Sequence, residues 1–199
     1  MDTDGGYINK KLFEAIDPNN SYSMEEFDAE FNSVNHTASY DDLRMLIKCV
    51  NKSNNKDPEF QTTGAAGFDF RANLPNEGEV IVIGPSGSGN NIAMVPTGLF
   101  FELPESIELQ VRPRSGLAAK KGVTVLNSPG TVDSDYRGEV KVILINHGNV
   151  DFVINNGDRI AQGVLSAVSN GQFVNLNKVD ELNDNTERGS NGFGSTGVK

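Results

Sequence analysis

A single cysteine, Cys49, in 199 residues rules out an intrachain disulfide framework, and two histidines, His36 and His147, are too few for a Cys/His zinc site. A metal, if used, must be held by oxygens. No apolar run reaches the roughly 18 residues of a membrane-spanning helix, and the opening Met1-Asp2-Thr3-Asp4-Gly5-Gly6 has neither the basic start nor the apolar stretch of a signal peptide. A soluble, cytoplasmic protein without membrane attachment is expected. Positive charge is also scarce: 17 Lys and Arg stand against 27 Asp and Glu, and the net charge of -10 disfavours nonspecific binding of nucleic acid. A polyanionic ligand would need a local cationic patch. The seven arginines suggest where, because Arg71, Arg112, Arg114, Arg137, Arg159 and Arg188 all fall in glycine-punctuated segments beside Ser and Asp. Each could equally make an ion pair within the fold or between subunits.

The chain reads as three parts. Residues 1–41 form an acidic extension, with eight acidic and two basic side chains in the first 40 positions. Ile8, Leu12, Phe13 and Ile16 recur at helical spacing up to Asp17-Pro18, and Ser23 with Glu26 resembles a capping box before Met24, Phe27 and Phe31. Two short helices are expected there, packed on the body or on a protein partner. Residues 42–180 read as a β-rich core. Strand-like runs occur at 43–50, 79–83, 98–103, 107–111, 123–126, 139–145 and 160–165, separated by Gly, Pro, Asn and Asp. An all-β sandwich or barrel follows from that pattern. Gly84-Pro85-Ser86-Gly87-Ser88-Gly89-Asn90-Asn91 imitates a nucleotide-binding loop, but it lacks the Gly-Lys-Ser/Thr ending and a following helix, so it is expected to be a hairpin connection. Residues 181–199 form a glycine-rich tail.

Five segments carry chemistry. Arg114-Ser115-Gly116 sets a guanidinium, a hydroxyl and an accessible backbone N–H in a row, a compact phosphate-binding tripeptide. After the Pro129-Gly130 turn, Asp133-Ser134-Asp135-Tyr136-Arg137-Gly138 concentrates two carboxylates, a phenol and a guanidinium before a strand. Either Asp133 or Asp135 could deprotonate a water on chemistry alone, and Asp135 could instead cap the turn or pair with Arg137. Tyr136, the only tyrosine beyond residue 40, could stack under a sugar and leave no room for a 2′-hydroxyl, or be a packing residue. Asn127 offers a donor and an acceptor to a pyrimidine edge. In the tail, Arg188, Phe193, Ser195 and Thr196 lie among glycines whose backbone can turn toward an anion, although a Gly/Ser terminus can also be plain disorder.

Ala65-Ala66-Gly67-Phe68-Asp69-Phe70-Arg71-Ala72, Arg112 to Ala118, Asn127 to Val140, Gly157-Asp158-Arg159-Ile160-Ala161-Gln162 and the tail together resemble the five ordered motifs of the trimeric dUTPase family, from residue 65 to 197. The resemblance implies a distorted jelly-roll that hydrolyses dUTP to dUMP and pyrophosphate in a homotrimer with shared sites. It implies Asp133 as general base, Asn127 with backbone groups of Thr131 and Val132 on uracil, Tyr136 under deoxyribose, and Lys141 lining the pocket. It further implies Arg114, Ser115, Gly116 and Gln162 on the phosphates, and a lid bringing Arg188, Phe193, Gly194, Ser195 and Thr196 over the nucleotide. Mg²⁺ would be held by phosphates and waters, with Asp69 acting through water only. Asp158 and Arg159 are expected to form a structural pair, and Arg112 to stay outside the site. Asn191 stands where the tail usually has glycine, and Phe68 where tyrosine is more usual. A deaminase of the same fold acting on dCTP, or a nucleotide-sensing regulator working through residues 1–40, are the rival readings.

Overall fold

The computed structural model describes residues 45–192 and 195. The chain divides into two units, Met1–Leu46 and Ile47–Lys199, and the second carries the β fold. The helices expected within residues 1–41 lie outside the described residues.

Short apolar runs punctuated by turn residues produce eleven antiparallel strands in four small sheets among the described residues. The largest sheet has the order β2-β11-β6-β8, from β2 (Phe68–Arg71), β11 (Arg159–Ala167), β6 (Ile107–Arg112) and β8 (Gly130–Val132). A second runs β4-β9-β7, from β4 (Ile92–Pro96), β9 (Lys141–Asn146) and β7 (Val123–Val125). Two strand pairs complete it, β1 (Lys48–Asn51) with β5 (Leu99–Glu102) and β3 (Val80–Ile83) with β10 (Phe152–Asn155). Alternating side chains from all four sheets meet in one core, in which Phe70, Ile83, Val95, Leu109, Leu144 and Ile154 are fully buried. This is the jelly-roll-like arrangement expected. Among the described residues no helix is long and apolar enough to cross a membrane.

Two expectations change, and one element is new. Of the run expected at 43–50, the described residues 45–47 stay outside the strand, which begins at Lys48, because Lys48 already faces Glu102 at the end of β5. The glycine loop at 84–91 closes with a Gly84 N–H bond to the Asn90 carbonyl at 3.1 Å, but it joins β3 and β4, which belong to different sheets, so it is not a hairpin connection. The stretch after Arg114 forms a helix, α1 (Ser115–Lys121), that buries none of its residues. Leu, Ala and Lys favour it locally, and it stops at Gly122, whose φ of 68° suits the left-handed C-terminal cap.

Candidate active site

In β2 the strand period buries Phe68 and Phe70 and turns Asp69 and Arg71 outward. Phe68 stacks on Phe101 with ring centroids 5.9 Å apart, and its edge fits a notch that exists only because residue 163 is glycine: a Cβ there would stand 2.6 Å from the ring. Asp69 is thereby fixed on the outer face. One carboxylate oxygen accepts from Arg114 Nε at 2.9 Å and the other from Arg159 Nη1 at 3.3 Å, while Arg114 Nη1 also donates to the Arg159 carbonyl at 3.1 Å. Asp69 is 13% exposed and Arg114 24%, so this carboxylate sets the pose of Arg114 under weaker solvent screening than a surface pair. The expected Asp158–Arg159 pair does not form. Asp158 instead accepts from the Asn155 N–H at 2.8 Å in the turn before β11, which leaves Arg159 to Asp69.

A cleft of about 770 Å³ opens beside this cluster. Ala65–Gly67, Arg112, Pro113, Ser115, Ser128, Pro129 and Gln162 line it, so four separated segments of the sequence converge on one cavity. Register explains the convergence: Gln162 faces Asp69 across one ladder and Arg112 across the other. Gly67 permits the close approach, since a Cβ would meet the Gly163 carbonyl at 2.6 Å. Ser115 and Gly116 are exposed in the first turn of α1, where backbone N–H groups lack helical acceptors. Arg112 and Gln110, which sequence reasoning left aside, both line this cleft. Arg112 donates through Nε and Nη2 to the Gln110 side-chain oxygen at 2.9 and 2.6 Å. Their outward alternation on β6 was the available signal.

Asp133 occupies a different cleft, of about 720 Å³, with Glu105, Glu108, Thr131, Asp135 and Asn170. It follows β8 directly, and Val132 pairs with Leu109, so Asp133 stands level with Glu108 at the start of β6. Gln162 stands level with Arg112 at its end. Four strand residues separate these rows, about 14 Å. General-base catalysis needs hydrogen-bond reach of the water it activates. In one chain Asp133 and Ser115 therefore line separate clefts.

The segment after Asp133 wraps on itself. Tyr136 N–H donates to the Asp133 carbonyl at 3.1 Å, and Arg137 Nη1 donates to the Ser134 and Tyr136 carbonyls at 2.7 and 3.1 Å. Arg137 is thus engaged by backbone, and a pair with Asp135, one of the alternatives for that carboxylate, does not form. Tyr136 donates from its hydroxyl to the Glu139 carbonyl at 3.1 Å. Asn127 is exposed, with its amide packed against Gly130, which follows the cis Ser128–Pro129 peptide. Val132 is buried, so only its backbone is available to a ligand. Lys141 lines neither cleft and lies 3.8 Å from Glu139. In the tail, Arg188 Nε donates to the Asn191 carbonyl at 3.0 Å and Ser195 N–H to the Gly192 carbonyl at 3.0 Å. Phe193, Gly194 and Thr196 lie outside the described residues.

A jelly-roll-like β protein with phosphate-type donors in one cleft and a carboxylate in another is the class that fold and site define. Comparison with known proteins is specific. The sequence model of the family described as dUTPase matches residues 53–197, and the chain belongs to that family. It is 52% identical over 155 residues to a deoxyuridine 5'-triphosphate nucleotidohydrolase of Cytophaga hutchinsonii, covering 78% of this chain and 94% of that protein. A protein of the same name from Treponema denticola is 56% identical over 141 residues, 71% of this chain and 90% of that one. Among solved structures, the dUTPase of Staphylococcus bacteriophage 80alpha, determined with dUPNHPP, superposes with a TM-score of 0.64 at 23% identity, over 77% of this chain and 99% of that chain, a likeness of fold.

Proposed function

We propose that this chain is a dUTP diphosphatase that hydrolyses dUTP to dUMP and pyrophosphate by attack of water at the α-phosphorus, limiting uracil in DNA and supplying dUMP. The observation that carries this reading is the convergence of four family segments on the cleft beside the Asp69–Arg114–Arg159 cluster. Asp133 accepts the proton of the attacking water, the new O–P bond forms, and the bond to the bridging oxygen of the leaving pyrophosphate breaks. Arg114, Ser115, Gly116 and Gln162 hold the phosphates in line, where preorganised donors stabilise the charge that develops. Asn127, with the backbone of Thr131 and Val132, reads uracil, and Tyr136 excludes the 2′-hydroxyl. Residues 181–199 close as a lid with Arg188, Phe193, Gly194, Ser195 and Thr196.

Both oxygens of Asp69 are engaged by arginines, and no group of three or more His, Cys, Asp or Glu among the described residues is arranged to hold a metal ion. This donor set fits a hydrated Mg²⁺ carried mainly by the substrate's phosphates, with Asp69 reaching it only through water. When bound, Mg²⁺ would neutralise phosphate charge.

The separation of Asp133 from Ser115 along β6 supports a site assembled from more than one copy, as in a homotrimer. The exposed stretch 171–191, in which Leu176 is 92% and Leu182 84% exposed, offers apolar surface for a neighbouring copy to cover. Pyrophosphate release measured with dUTP, dCTP, dTTP and UTP in the presence of Mg²⁺ tests the reading: dUTP alone should turn over rapidly. Equal turnover of all four would refute it.

A further inference from the structure

Gly138 follows Tyr136 by two residues, and the tyrosine ring lies across it. A Cβ added at 138 would collide with the Tyr136 hydroxyl and Cζ and stand 2.9 Å from Cε2, so no other residue leaves the ring where it is. The ring's far end is tied to the Glu139 carbonyl. That anchor is itself fixed to the body: the Glu139 carboxylate accepts from the Gly98 N–H at 2.8 Å, the Val140 N–H donates to the Leu99 carbonyl at 2.9 Å, and Thr97 Oγ1 donates to the Val140 carbonyl at 2.6 Å. Tyr136 itself is 46% exposed, so its ring has open space on the solvent side into which it can shift at the cost of that one hydrogen bond.

We propose that Gly138 is a specificity-determining position, the vacancy that seats the Tyr136 ring where it meets the sugar. The inference rests on the reading of Tyr136 as the group that excludes a 2′-hydroxyl. A methyl at 138 moves the ring rather than the pinned backbone behind it. Discrimination against ribonucleotides is lost while the fold survives.

The test compares kcat/KM for dUTP and for UTP in Gly138→Ala, Tyr136→Ala and the double variant, together with thermal unfolding. Gly138→Ala is expected to lower the dUTP/UTP ratio by about tenfold or more, since small misplacements of a positioning group are magnified in rate. Its melting midpoint should shift by less than about 4 °C. The double variant should lose no more discrimination than Tyr136→Ala alone, because both changes act through one ring. A Gly138→Ala enzyme that keeps its ratio while Tyr136→Ala loses it overturns the proposal and leaves the tyrosine reading standing. If Tyr136→Ala keeps the ratio, both fall. A Gly138→Ala chain that does not fold also overturns it, since the ring, not the backbone, is the part held to yield.

Discussion

The two clefts on the outer face of the four-stranded sheet differ in charge and in construction. At the end of β6 the walls are small residues, Arg112 and the start of α1, and beside them Asp69 ties Arg114 and Arg159 together. At the start of β6 the walls carry Glu105, Glu108, Asp133 and Asp135. One suits an anion and the other repels it. Hydrolysis of a triphosphate needs both kinds of group, but a cluster of carboxylates beside the phosphate donors of its own chain would weaken binding. Their separation by about four strand residues along β6 keeps the carboxylates of one chain away from its own phosphate donors.

The contrast breaks most completely at Asp133. Asp133→Asn should lower kcat by about 10²–10⁴-fold while KM for dUTP stays within about threefold, because the amide keeps the shape but cannot accept the proton. An undiminished kcat in steady-state assays would transfer the role elsewhere. On the cationic side, Asp69→Ala leaves Arg114 and Arg159 facing each other without their shared carboxylate. KM should rise about 10–100-fold with a smaller loss in kcat, and an unchanged KM would mean that Arg114 does not need its partner. Gly163→Ala tests the frame beneath both: the added methyl meets the Phe68 ring and should destabilise the fold by about 1–3 kcal/mol, read as a lower denaturant midpoint at unchanged slope. The smallest effect is expected at Lys141, whose distant, exposed pairing with Glu139 predicts less than about a twofold change in kcat/KM for Lys141→Ala. A tenfold loss would return Lys141 to the pocket.

Strands whose apolar runs are long enough to bury a face were legible from sequence: β6, β7, β9 and β11 lie within a few residues of expectation. β8 was not, because in Gly130-Thr131-Val132 only Val132 is a large apolar side chain, and β2 was read as a motif although Phe68 and Phe70 alternate with polar neighbours. α1 was missed because no residue of it is buried, so it leaves no apolar stripe. Within the site, the residue types were readable and their pairing was not. Asp158 and Arg159 are adjacent in sequence, but a turn N–H takes the first and a carboxylate 90 residues away takes the second. Pairing of this kind is decided by register across β2 and β11, which one-dimensional spacing does not encode.

The central claim is that each site takes its base from one copy and its phosphate donors from another. Chains carrying Asp133→Asn and chains carrying Arg114→Ala with Ser115→Ala, each inactive alone, should be unfolded together, refolded as a mixture and assayed for dUTP hydrolysis. Random assembly predicts that about a quarter of sites combine an intact Asp133 with intact donors, so activity should return to about that fraction of the unsubstituted enzyme. A mixture no more active than either parent would contradict the account.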